Sequence, residues 1–75
     1  MPHVNIQIFP GKTEMQKQLL AEAIVQDFIR LFNYDEEAVS VAITEIDQDA
    51  WKEKVYQEEI LNKKETVYKK PGYTM

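Results

Sequence analysis

The chain of 75 residues contains no cysteine, one histidine, two glycines and three prolines. Without cysteine, neither a disulfide nor a thiolate metal site can reinforce it. A single histidine excludes the usual histidine-rich metal sets, so no metal is expected, although carboxylate sites stay open. No basic leader followed by a long apolar run stands at the amino terminus, which argues against a secretory signal. Nothing approaches the roughly 18 consecutive apolar residues of a membrane span. A soluble, cytoplasmic protein is the expectation. Basic charge is also scarce: nine Lys and Arg stand against thirteen Asp and Glu, for a net charge of −4 and a pI near 4.9. Phosphate backbones demand basic surface, so nucleic acid is disfavoured. Lys63, Lys64, Lys69 and Lys70 cluster late, but Glu65 and Tyr68 interrupt them and they read as a solvated face.

What the chain does contain is a changing apolar period. Val4, Ile6 and Ile8 alternate with His3, Asn5 and Gln7, which predicts a strand over 3–9. Pro10-Gly11 stops it. Thr13 with Gln16 has the spacing of a capping box. Beyond it Leu20, Ile24, Phe28 and Leu31 recur at helical spacing, with Ala23 and Phe32 widening the stripe and Gln18, Glu22, Gln26 and Arg30 left for water. Asn33 suits the carboxyl-terminal cap. Period two returns over 39–46, with Val39, Val41 and Ile43 on one face and Ser40, Ala42 and Thr44 on the other.

Strand, long helix and strand make a βαβ unit, an α/β (α+β) arrangement whose two strands run parallel through a right-handed crossover. After it, Trp51 and Val55 predict a helix capped by Asp49. Asn62 with Glu65 offers a fresh cap for a last short helix to about Lys70, which Pro71-Gly72 ends. Tyr73 and Met75 make the tail too apolar to stay wholly in water. The whole of 1–75 is expected to be one domain.

A single chain this short is marginal alone. Two parallel strands make a poor isolated sheet. Subunits pairing edge to edge into a four-stranded sheet would hide one exposed edge of each. The polar outer face (Asn5, Gln7, Ser40, Thr44) favours a homodimer over a hexamer stacked through that face.

Pro2 is the candidate for chemistry. Initiator methionine is commonly removed before a small second residue. Removal of Met1 would turn the Pro2 nitrogen from an amide without useful basicity into a secondary amine. Burial in an apolar pocket or a nearby cation would lower its pKa. Such a base takes a proton from carbon beside a carbonyl, and the strand that follows holds it on a rigid element. His3 is a weak candidate, because neighbouring strand residues point to opposite faces. Asp47 with Asp49, and Glu36 with Glu37, stand at loop or helix starts, where acids suit the helix dipole. Phosphate-binding glycine loops, nucleophile elbows and metal spacings are not found.

The opening Met1-Pro2, the strand His3–Phe9, the Pro10-Gly11-Lys12 turn, the helix, and the strand bearing Ile43-Thr44-Glu45 together resemble the 4-oxalocrotonate tautomerase family of the tautomerase superfamily. The resemblance spans the whole chain. The ending Lys69-Lys70-Pro71-Gly72-Tyr73-Thr74-Met75 is similar to the dimeric PptA-type branch. The resemblance implies a keto–enol tautomerase, an isomerase needing no cofactor. It places Pro2 on the catalytic amino-terminal proline and Lys12 where classical members have an arginine for the substrate carboxylate. Ser40 falls where they have a second arginine that reaches a neighbouring subunit's site, and Trp51 where they have a phenylalanine beside the proline. Without the two arginines, an enolpyruvate-type 2-oxo acid with one carboxylate and an aryl group, such as phenylenolpyruvate, is favoured over a dicarboxylate. Hydration or dehalogenation of unsaturated acids, another chemistry of the superfamily, lacks its arginines here. The alternative from a different class is a non-catalytic acidic oligomerisation or binding module that retains the fold, with Met1 kept and Pro2 capped.

Overall fold

The computed structural model describes residues 1–75. The order is β1 (His3–Ile8), α1 (Glu14–Phe32), β2 (Ser40–Glu45) and α2 (Gln48–Trp51), continued by a wider helical stretch, Lys52–Leu61. Single 3₁₀ turns occupy Glu36–Ala38 and Lys64–Thr66. The chain divides into two compact units, Met1–Glu45 and Ile46–Met75.

The first unit is the βαβ motif. β1 and β2 are parallel, and the register pairs His3 with Ser40, Val4 with Val41 and Ile6 with Ile43. The two alternating patterns therefore run in phase. Val4, Ile6, Val41 and Ile43 share one face; His3, Asn5, Gln7, Ser40 and Thr44 share the other. Both strands stop one residue short of the expected carboxyl ends, at Ile8 and Glu45, and β2 begins at Ser40 rather than 39. After β1, Gly11 holds φ +124°, a backbone conformation that L side chains rarely adopt. The turn thus requires glycine for its backbone, since nothing crowds the space a Cβ would take.

α1 starts as its sequence dictates. The Gln16 N–H donates to Thr13 Oγ1 at 3.1 Å, and the Thr13 N–H donates to Gln16 Oε1 at 2.9 Å, which satisfies two donors the helix start would otherwise leave open. Thr13→Ala removes one of these bonds and is expected to destabilise the protein by about 1 kcal/mol. A fall in thermal midpoint of about 4–8 °C should report it. At the other end Asn33 takes the left-handed conformation, φ 60°, and donates its N–H to Ile29 O at 3.0 Å. Asparagine tolerates that conformation better than most residues.

The half-buried stripe of α1 is Lys17, Ala21, Ile24, Val25, Phe28 and Ile29. Lys17 sits on it because its ammonium bridges Glu14 Oε2 at 2.9 Å and Glu45 Oε2 at 3.2 Å, tying the start of α1 to the end of β2. Hydrogen bonds from Glu14 first, then Glu45, raise the Lys17 pKa above the ordinary lysine range. The lysine thus keeps its charge in this pairing at neutral pH and gives it up as pH rises through that elevated value. Leu20 and Leu31, expected on the buried stripe, lie at its margin, 42% and 62% exposed.

In the second unit Asp47, not Asp49, precedes the helix, and its side chain caps nothing. Asp49 falls in the first turn, where its charge suits the helix dipole. From Lys52 the winding widens: the Asn62 N–H reaches back five residues to Gln57 O at 3.0 Å. Val55 and Tyr56 are the buried residues of this stretch. The expected last helix to Lys70 shrinks to the turn Lys64–Thr66. Thr66 Oγ1 donates to Lys63 O at 2.8 Å, a local bond that competes with helix continuation, and lysines at the start oppose the dipole. The tail docks on its own unit. The Tyr73 and Tyr56 rings lie 5.7 Å apart, and Trp51 Nε1 donates to Tyr73 Oη at 3.1 Å.

Candidate active site

Pro2 stands immediately before β1, half-buried, preceded by an exposed Met1. Its carbonyl accepts the Ser40 N–H at 3.1 Å, which closes the first rung of the sheet. With Met1 attached its nitrogen is an amide; cleavage of that one bond would leave a secondary amine at the end of a hydrogen-bonded strand.

Ser40 is the sequence-chosen residue that the structure brings to Pro2. Its backbone binds the Pro2 carbonyl, and its hydroxyl lies 2.7 Å from His3 Nδ1. Lys12 is an exposed residue on the connection 9–13 between β1 and α1, with no carboxylate within ion-pair distance. Lys12 thus carries an uncompensated positive charge in an acidic protein. Trp51 belongs to the second unit. It is half-buried at the point where α2 widens and is tied through its indole N–H to Tyr73.

Two features were missed in the sequence. Alternation along β1 turns His3 away from its neighbour Pro2, yet the parallel register puts it opposite Ser40 on the same polar face. The signal was present in the two in-phase alternating patterns, which fix that pairing once the strands are read as parallel. Tyr73 belongs to the apolar tail, and its hydroxyl is the acceptor for Trp51. The second unit also holds a pocket of about 230 Å³ lined by apolar Tyr56, Ile60, Leu61, Val67 and Pro71, with Lys64 and Lys70 at its wall. No group of three or more His, Cys, Asp or Glu converges as a metal site would require, and no helix is long and apolar enough to cross a membrane.

Comparison with known proteins gives the same architecture and narrows it. The solved structure of TomN, described as a 4-oxalocrotonate tautomerase homologue in the tomaymycin biosynthetic pathway, superposes with a TM-score of 0.65. It covers 67% of this chain and 77% of its own at 22% identity, a likeness of fold. Tautomerase PptA of Klebsiella pneumoniae (strain 342) is 46% identical over the full length of both chains. Tautomerase PptA of Enterobacter sp. (strain 638) is 43% identical, again over the full length of both. The model of the family described as "Tautomerase enzyme" matches residues 2–53. A match over most of the chain, together with relatives this similar from end to end, establishes that the chain belongs to the tautomerase family.

Proposed function

We propose that the protein is a cofactor-independent keto–enol tautomerase, one domain over 1–75, whose base is the amine of Pro2 after Met1 is removed. The observation that carries this reading is the position of Pro2. It is the first residue of the family match, and a rung of the parallel sheet holds its carbonyl. The chemistry is a one-base shuttle. The neutral Pro2 nitrogen accepts the enol hydroxyl proton as the enol C–O becomes C=O. The resulting ammonium delivers a proton to carbon at the other end of the conjugated system, and the amine is regenerated. Atoms and charge balance within substrate and amine alone.

Lys12 supplies the cation that offsets the substrate carboxylate and the developing enolate charge. Its point charge suits one carboxylate, where a pair of arginines suits two. Ser40 brings no charge to the second position. Trp51, by the family resemblance, supplies an aromatic surface against which an aryl group stacks. The preferred substrate is accordingly an aryl enolpyruvate. The working form is a homo-oligomer, a dimer joined through sheet edges, because the two-stranded sheet leaves one edge of each strand open.

Phenylenolpyruvate ketonisation, followed by its ultraviolet absorbance on protein whose mass shows Met1 absent, tests the function. Acceleration well above buffer is expected. No acceleration of this compound together with acceleration of an enolised dicarboxylate would move the substrate class back to diacids. No acceleration of either would remove the enzymatic reading.

A further inference from the structure

Pro2 lies outside the sheet, and beyond it there is no further rung. Chain ends of this kind move unless something ties them down. A catalytic amine at such an end has the same difficulty, because misplacement of a base by about 1 Å costs up to about a hundredfold in rate. What fixes the amine must therefore act on the first rung of the sheet.

Ser40 makes that rung twice. Its backbone N–H donates to the Pro2 carbonyl at 3.1 Å, and its hydroxyl is 2.7 Å from Nδ1 of His3. The two bonds grip Pro2 and the first residue of β1, His3, from one residue of β2. They hold the planar peptide unit between Pro2 and His3. Once that plane is held, ψ of Pro2 is the one soft torsion between the sheet and the proline nitrogen. Both side chains of the His3–Ser40 pair are exposed, so burial does not force them together; water could satisfy either group. Their bond instead stiffens the rung at which the amine begins.

We propose that His3 is a positioning residue for the proline base, acting through the Ser40 hydroxyl. The proposal rests on the assignment of Pro2 made above. It also gives the hydroxyl of Ser40 a task inside the protein, as the acceptor or donor for an imidazole, in place of a direct grip on substrate. His3 touches neither substrate nor reacting atoms in this scheme. Its effect is on where the amine stands when the substrate arrives, which appears in kcat and not in KM.

The test compares processed wild type with His3→Phe, Ser40→Ala, the double variant and Ser40→Thr. The readouts are steady-state ketonisation of phenylenolpyruvate and hydrogen exchange of the Ser40 amide. His3→Phe keeps a ring of similar size, and Ser40→Thr keeps the hydroxyl on a residue that suits a strand. Each single removal is expected to lower kcat about tenfold with KM near the wild-type value. The double variant should fall no further, and Ser40→Thr should restore kcat. The Ser40 amide should exchange faster in His3→Phe than in wild type. Losses that multiply in the double variant, or a KM rise in Ser40→Ala that His3→Phe lacks, would assign the hydroxyl to the substrate and overturn the proposal. So would unchanged exchange and unchanged kcat in His3→Phe. Wild type that does not accelerate ketonisation of an enolpyruvate or an enolised diacid removes the Pro2 assignment itself. Active wild type with an indifferent His3 removes only the latch.

Discussion

Protein that keeps Met1, or whose amino terminus has been acylated after Met1 removal, is expected to ketonise phenylenolpyruvate at least about a hundredfold more slowly than the processed protein. The cause is covalent. In the chain as it stands Pro2 follows Met1, and an amide nitrogen shares its lone pair with the adjacent carbonyl. It has no basicity to offer at neutral pH. Removal of Met1 frees that pair without moving the strand, since the bonds that hold Pro2 run through its carbonyl and not through its nitrogen. Pro2→Ala is a milder change. It leaves a primary amine at the same position with a freer backbone, so activity should fall but not vanish. The comparison is made on mass-verified samples under one set of conditions. Equal rates for capped and uncapped protein would place the base elsewhere.

Substitution of both Leu31 and Phe32 by lysine is expected to dissociate the protein and lower its thermal midpoint. No residue of α1 is buried in a single chain, and Leu31 and Phe32 are 62% and 66% exposed at its carboxyl end. Phe32 closes a cluster of three rings with Phe28 and Tyr34, at centroid separations of 5.7 to 6.2 Å, which is open to the surface. A second copy of this chain is the occupant we assign to that surface, as a contact in addition to the sheet-edge pairing proposed above. Burying each side chain contributes about 1.5–3 kcal/mol, so losing both weakens association by at least about a hundredfold. Lysine is a good helix former and suits the negative end of the helix dipole, so the helix itself survives the change. Sedimentation of wild type as an assembly and of the variant as a monomer, at equal concentration, is the expected result. An unchanged assembly would show that this surface is not covered.

How much of this the sequence disclosed follows from how local each determinant is. Thr13 and Gln16 cap α1, and Asn33 ends it in the left-handed conformation. Both signals act within four residues, so they could be read directly. The in-phase alternation of β1 and β2 was equally plain, and with it the parallel register. The second unit was less legible. Its helix widens after Trp51, and the run to Lys70 never becomes helical beyond Thr66. There local preferences are weak, and a side-chain bond from Thr66 to the backbone competes with the helix. Leu20 and Leu31 illustrate a third limit. Helical spacing shows which residues share a face, but the width of the covering sheet decides how many of them it covers, and two strands cover little.

The candidate site divides in the same way. Pro2 is proposed from the sequence because the basicity of its nitrogen depends on its place in the chain and on nothing distant. Lys12, Ser40 and Trp51 came from family resemblance, and Ser40 alone of these is hydrogen-bonded to the Pro2 carbonyl. The His3–Ser40 bond joins residues 37 apart in sequence. Neither residue alone predicts it; it appears only when the register is combined with the donor and acceptor capacity of each side chain.

The most direct test of the account is a titration of the Pro2 nitrogen, followed by NMR in processed protein labelled with ¹⁵N-proline and set against the pH profile of kcat/KM. A neutral amine acting as base predicts that kcat/KM rises with pH through one ionisation, with the same midpoint as the Pro2 nitrogen. A rise that follows some other midpoint, or a rate that ignores the ionisation of Pro2, would contradict a proline base.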